Sequence, residues 1–245
     1  MFPYLIKTDS FTIGSYGLML AIAYLVGRWY FLKQLDINNS LTKNSELLII
    51  MLLVAGVLGA KILFLIKHPD KSHLMFNGEG FSSQGALLGA LLATYLFTLY
   101  DKTKLHQLLD SAAPAAILAY ALARIGCFLS GDDCYGIPTD LPWAMSFPHG
   151  IKATDQLVHP VPLYEFGYSM AIFILLLARK KKVTRPFDQL FMLAGLWGFC
   201  RFMVEFVSTN EKVILSMSSS QFGALLMFIA SGIFFVRGRG KKDLH

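Results

Sequence analysis

The feature that most constrains this chain is a succession of seven long apolar runs, each of about 18 to 22 residues, the length needed to cross roughly 30 Å of hydrocarbon as an α-helix. Backbone in hydrocarbon must satisfy its own hydrogen bonds, so runs of this kind fold as helices rather than open strands. They predict an all-α integral membrane protein with about seven transmembrane helices, at about 12–32, 46–66, 83–100, 108–128, 161–179, 187–206 and 218–236. The composition agrees: of 245 residues, 55% are hydrophobic and only 16% charged, against about a quarter charged in a soluble domain.

Positive charge divides unevenly between the two sides that these spans define. Fourteen of the 22 Lys and Arg residues lie on the side of the C-terminus, and five, Lys7, Lys67, Lys71, Lys152 and Lys212, lie on the other. The positive-inside rule predicts a multi-pass protein with its N-terminus outside and its C-terminus cytoplasmic. The same loop distribution excludes a nucleic-acid-binding face, which requires clustered basic residues on a soluble surface. No cleavable leader is expected, because Lys7 and Asp9 precede the first run and no small-residue cleavage site follows it.

The chain reads as a single polytopic membrane domain over 1–245, with one insertion at about 129–160 that falls outside the cytoplasm. A connection that long is usually functional or disordered. Pro138, Pro142, Trp143 and Phe147 favour an ordered extracytoplasmic head segment. No repeat of helix pairs supports an inverted-repeat transporter. Cys127, Cys134 and Cys200 show no metal-ligand spacing, and Cys127 with Cys134, seven apart at a loop edge, is a weak disulfide signal.

An ionisable side chain at bilayer depth costs about 2.5 to 3.5 kcal/mol on insertion scales, so each one requires a partner or a function. Lys61 lies in the second span, Asp110 and Arg124 bracket the fourth, Glu165 opens the fifth, and Arg201 and Glu205 occupy the sixth. Arg201 and Glu205 are four residues apart and share one helix face, so mutual neutralisation is one reading of the pair. If Arg124, Arg201 and Lys61 face one cavity, they outnumber Glu165 and Glu205, and the surplus suits a phosphate gripped by guanidinium groups. Lys61 reads equally as a snorkelling side chain, and Asp110 before Pro114 as a helix-entry carboxylate.

The stretch ARIGCFLSGDDCYGIPTDLPWAMSFP at 123–148 resembles the signature of the prolipoprotein diacylglyceryl transferases, Gly-Arg-x-Gly-Asn-Phe-x-Asn-Gly-Glu followed by a Gly and a Pro-aromatic-Ala-x-x-Phe-Pro stretch. SYGLML at 15–20, GAKILF at 59–64, GALLGA at 85–90, the LLDSAAP region at 108–114, HPVPLYE at 159–165 and CRFMVEF at 200–206 match the same family in order. The resemblance implies an enzyme of the bacterial inner membrane that transfers the diacylglyceryl group of phosphatidylglycerol to the lipobox cysteine of a prolipoprotein signal-peptide segment, releasing glycerol-1-phosphate. It implies neither metal nor cofactor. Its signature arginine falls on Arg124, its second essential arginine on Arg201 with Glu205 after it, its first-helix tyrosine on Tyr16, and its acidic residue on Asp132, with Gly126 and Gly131 in place. In that chemistry the two arginines hold the phosphate while the acceptor sulfur attacks the glyceryl carbon.

The departures bear on proton transfer. Where the family has His-Gly-Gly at the start of the third helix, this chain has Gln84, Gly85 and Ala86, and glutamine cannot take a proton near neutral pH. Cys127 and Ser130 replace an asparagine pair, Asp132-Asp133 doubles the acidic position, and Lys61 stands for an arginine. The candidate catalytic residues are therefore Arg124, Arg201, Asp132 and His159, the last two as substitutes for the missing base. Tyr16, Lys61, Gln84, Gly85, Ser130, Asp133 and Glu205 are the candidate substrate contacts. Two other readings stand beside the transferase: a paralogue that moves a lipid group to another acceptor, and a non-catalytic lipid-binding membrane protein.

Overall fold

A computed structural model describes residues 2–7, 12–70, 80–180, 185–214 and 216–239. Lys71, Lys181, Lys182, Lys241 and Lys242, which contribute to the charge asymmetry, lie outside the described residues, as does Asp9. Among the described residues seven long helices follow one another: α1 Ser15–Ile37, α2 Ser45–Lys67, α3 Ser83–Asp101, α4 Leu105–Ser130, α5 Val161–Arg179, α6 Asp188–Val204 and α7 Ser219–Arg239. Three short antiparallel hairpins accompany them: β1 Tyr4–Lys7 with β2 Thr12–Gly14, β3 Met145–Phe147 with β4 Thr154–Val158, and β5 Lys212–Ile214 with β6 Met217–Ser218. The protein is an all-α membrane protein, and six of the helices, α2 to α7, meet the length and apolarity needed to cross a bilayer.

Helix α1 is long enough to span but carries Arg28, Lys33 and Asp36 toward its end. It runs five residues past the expected boundary because no Gly or Pro interrupts it after Leu32 and because Gln34 and Leu35 are buried. Asn39, in the left-handed region at φ 49°, ends it, and the Ser40 amide donates to the Leu35 carbonyl at 2.8 Å, a helix-terminating bond. Helix α6 ends earlier than expected: its last turn tightens into a 3-10 turn at Glu205–Val207, which carries Glu205 beyond the regular helix.

The described residues group into two compact units, Leu32–Ser111 and Met1–Phe31 with Ala112–His245. In the first unit α2 and α3 approach closely through small residues. A Cβ at Gly59 would strike the backbone of Gly85 and Gly89, and one at Gly89 would strike Ala55. Without a hydrophobic drive between helices in lipid, such small-residue seams bring backbones into van der Waals contact. The outer face of α2 is left apolar, with Leu53, Val54, Val57, Leu58 and Ile62 exposed, as a lipid-facing surface requires.

In the second unit Ile117 of α4 and Ile172 and Leu176 of α5 form a buried core, against which Tyr120, Tyr168 and Trp197 pack. Helices α6 and α7 pack along another seam, where Gly198 meets Ala224 and Ser231 donates to the Phe191 carbonyl at 2.7 Å. The 129–160 segment carries the β3–β4 hairpin. That hairpin is held by bridges from Pro138 to Val158 and from Gly136 to Ser208, and Phe147 is fully buried beneath it.

Candidate active site

Three helices deliver a buried charge cluster. HPVPLYE places Glu165 one turn into α5, where Pro162 occupies an early helical position whose missing N–H costs nothing. Glu165 is 0% exposed. On α4, Tyr120 and Arg124 are four apart and share a face, and the Arg124 guanidinium lies 4.8 Å from the Tyr120 ring centroid. On α6, Arg201 points to the same place and is 8% exposed.

The two carboxylate oxygens of Glu165 divide between the two arginines. Arg124 Nε is 2.6 Å from Oε2, while Arg201 Nη1 pairs with Oε1. Tyr120 links them further, accepting from Arg124 Nη2 at 2.9 Å and donating to Glu165 Oε1 at 3.1 Å. Arg201 Nη2 also reaches Glu205 Oε2 at 2.9 Å, so the predicted i, i+4 pair is present. Glu205 is held in turn through Oε1, by Asn210 Nδ2 at 2.7 Å and Ser218 Oγ at 2.5 Å. Ser218 also accepts from the Gln221 amide at 3.0 Å, so one hydroxyl caps α7 and anchors the cluster.

Within this unit the arginines do not outnumber their carboxylates, because two guanidinium groups meet two glutamates and neutrality offsets burial. The arginines also differ. Arg201 is clamped by two carboxylates, whereas the side chain of Arg124 is 21% exposed and its Nη1 faces a weak acceptor, Cys127 Sγ at 3.8 Å.

Around the end of α4 the chain turns sharply. Gly131 adopts φ 57° and Asp133 φ 74°, which folds Cys134 back over α4 so that Cys127, Asp132 and Cys134 present sulfur and oxygen atoms within 4.8 Å of one another. Asp132 Oδ1 is buried and meets no N–H or O–H donor among the described residues. The Cys134 thiol is pushed up from its ordinary range, first by its hydrogen bond with Cys127 and then by burial. Tyr16 of α1 packs against α4 at Gly126, where an added Cβ would lie 3.4 Å from its ring and 3.0 Å from Met19 Cβ.

The remaining candidates have describable partners. Asp133 is exposed and pairs with Lys152 Nζ at 2.5 Å, which holds the Lys152 ammonium above its usual range. Ser130 is buried, donates to the Cys127 carbonyl at 3.1 Å, and its own carbonyl accepts from the Ile151 amide at 2.9 Å. His159 Nδ1 lies 3.1 Å from the Tyr164 hydroxyl, which accepts from Trp143 Nε1 at 2.7 Å. Indole only donates, so Tyr164 accepts from Trp143, while the direction of the Tyr164–His159 bond follows the imidazole tautomer. In the other unit Gln84 accepts from Lys67 Nζ, Gly85 lies in the α2–α3 seam, and Lys61 Nζ sits 4.3 Å from the Phe81 ring centroid.

Glu165, Tyr120, Asn210 and Ser218 were not among the sequence candidates for the site. Glu165 carries a signal, an acid in an apolar span, while the others are ordinary polar residues placed by tertiary packing.

Paired arginines and glutamates buried in the spans define a polytopic helical membrane protein with an ionisable cluster at bilayer depth, the place where a functional site is sought first. The family profile for prolipoprotein diacylglyceryl transferase matches residues 3–237. A phosphatidylglycerol–prolipoprotein diacylglyceryl transferase of Clostridium tetani is 30% identical over 254 residues, covering 99% of this chain and 100% of that protein. The namesake from Bordetella avium is 31% identical over 252 residues, covering 96% and 93%, and that from Thermosynechococcus vestitus 27% identical over 252 residues, covering 94% and 91%. The chain belongs to the prolipoprotein diacylglyceryl transferase family.

Proposed function

We propose that this protein is a transferase that moves the diacylglyceryl group of phosphatidylglycerol onto a prolipoprotein. The full-length match to transferases favours this reading over a paralogue with another acceptor or a non-catalytic lipid binder. The structural observation that carries the site assignment is the asymmetry between the arginines. Arg124 keeps an exposed edge and a weakly engaged Nη1, so it is the group that reaches a headgroup phosphate, whereas Arg201, clamped by Glu165 and Glu205, is a positioning residue that holds Glu165 and thereby Arg124.

In the proposed reaction the thiol of the lipobox cysteine attacks the glyceryl carbon that bears the phosphate ester. A carbon–sulfur bond forms, the carbon–oxygen bond breaks, and glycerol-1-phosphate leaves with its developing charge facing Arg124. The thiol proton passes to a carboxylate or imidazole beside the site. Of the candidates, Asp132 has an oxygen without an N–H or O–H donor, while Asp133 is committed to Lys152 and His159 to Tyr164. Asp132 is therefore the proposed proton acceptor.

We further propose that the protein lies in the bacterial cytoplasmic membrane, with its N-terminus and the 129–160 segment outside and its C-terminus inside, an orientation that the charge asymmetry supports. Complementation of a strain depleted of its own transferase tests the function. Growth with lipidated prolipoprotein is expected, and folded, membrane-inserted protein without lipidation would refute it.

A further inference from the structure

We propose that Cys127, Asp132 and Cys134 form a binding site for a soft divalent cation, of which Zn2+ fits best. The three donors are two sulfurs and one carboxylate oxygen, all within 4.8 Å of one another. Zinc bound at about 2.3 Å to sulfur in a tetrahedron sets its sulfur ligands about 3.8 Å apart, inside that limit. The ligand set selects the ion, because thiolates favour Zn2+ over the hard cations Mg2+ and Ca2+, which take oxygen. The cysteines are not paired with each other as a disulfide.

Two further observations point to a ligand. Asp132 Oδ1 is a buried acceptor that meets no N–H or O–H donor; the carboxylate's hydrogen-bond partner in the cluster is the Cys134 thiol, a weak donor, and a metal ion would satisfy both groups better. Arg124 Nη1 lies 3.8 Å from Cys127 Sγ, the position of an outer partner that hydrogen-bonds a metal-bound thiolate. Two thiolates, one carboxylate and a divalent ion carry a net charge of −1, so the neighbouring guanidinium stabilises the loaded site. The turn at Gly131 and Asp133 creates this juxtaposition from residues seven apart in sequence, which is why spacing alone does not reveal it. The site overlaps the transfer chemistry, because an ion there occupies the proposed proton acceptor and engages the phosphate-facing arginine, so bound Zn2+ is expected to inhibit transfer.

The test uses the purified, reduced full-length protein in detergent, titrated with Zn2+ and read by bound metal per chain, and with Co2+ as a spectroscopic probe. One Zn2+ per chain is expected, with a thiolate-to-cobalt charge-transfer band that Zn2+ displaces. Cys134→Ser and Asp132→Asn are each expected to weaken binding at least tenfold while helix content and thermal transition stay in place, and Cys134→Ser to leave metal-free transfer unchanged. The binding readout does not depend on transferase activity, so it stands or falls separately from the proposed function. The inference is overturned if folded wild type binds no more Zn2+ than folded Cys134→Ser, if Co2+ binds without a thiolate band, or if the reduced protein takes up no metal.

Discussion

Arg124 Nε lies 2.6 Å from Glu165 Oε2, and the other oxygen of that carboxylate holds Arg201. One buried glutamate thus fixes the spacing and direction of two guanidinium groups on different helices. It leaves Arg124 oriented but not saturated, which is the arrangement an anion-handling site needs. A preorganised donor stabilises charge developing on a leaving group without reorganising at the moment of reaction.

Arg124→Ala is expected to remove transfer by about a hundred- to thousandfold, about 2.7 to 4 kcal/mol if Arg124 acts as an oxyanion-type donor. The folded protein should survive, because Glu165 retains Arg201 and the Arg124 side chain is partly exposed. Arg124→Lys should recover little, since lysine lacks the fork that engages Glu165 and a phosphate together. Transfer assays on purified variants, alongside yield of folded protein, check this; near-normal activity in Arg124→Ala would remove the headgroup assignment.

Arg201→Ala should behave differently. It leaves Glu165 and Glu205 with one guanidinium between them in a buried setting, and breaking a buried pair on one side costs about 3 to 5 kcal/mol. The expected outcome is loss of thermal stability together with loss of activity. Glu205→Gln, which retains a side chain of the same shape, should be milder than Glu165→Gln, because Glu205 also meets Asn210 and Ser218 while Glu165 carries both arginines. Thermal melting in detergent ranks the three; equal stability of all three with wild type would contradict the cluster's structural role.

How much of this was legible beforehand follows from where the information resides. The spans were legible because apolar length is a property of the local sequence, and their ends slipped where stopping depends on conformation, as at Asn39, or on a tightened turn, as at Glu205. Arg124, Arg201 and Glu205 stood out because charge within an apolar run is conspicuous in one dimension. That Glu165 serves both arginines was not legible, since it depends on the rotation of α4, α5 and α6 about their axes. Tyr120, Asn210 and Ser218 carry no signal at all until packing brings them to the cluster. The Cys127, Asp132 and Cys134 grouping required positive φ at both Gly131 and Asp133 around the turn, which neither a motif nor a spacing rule anticipates.

Orientation rests on charge distribution and is checked by labelling. In a variant without native cysteines, Thr154→Cys on the β3–β4 hairpin should react with a membrane-impermeant thiol reagent in intact cells, while a cysteine placed in the α5–α6 connection should react only after permeabilisation. The reverse pattern would invert the topology and place the proposed acceptor side in the cytoplasm.

The last prediction concerns the proton acceptor. Gln84 stands where the family has histidine, and in this structure its side-chain oxygen accepts a hydrogen bond from Lys67, a role that needs no proton transfer. Gln84→Ala is therefore expected to leave measurable activity. Asp132→Asn should cost roughly a hundred- to ten-thousandfold, the usual range for losing a general base, because Asp132 Oδ1 is the candidate oxygen without an N–H or O–H donor. Asp133→Asn should cost far less, since its partner is an exposed lysine, and His159→Gln should act through loss of the Tyr164 contact, lowering stability along with rate. Gln84→His restores the family residue and is expected to raise activity. Measuring all five across pH in a purified transfer assay separates this from thiolate stabilisation by arginine, in which the acceptor thiol ionises unaided beside a cation. Under that alternative Asp132→Asn keeps wild-type activity at every pH, and the assignment of Asp132 fails.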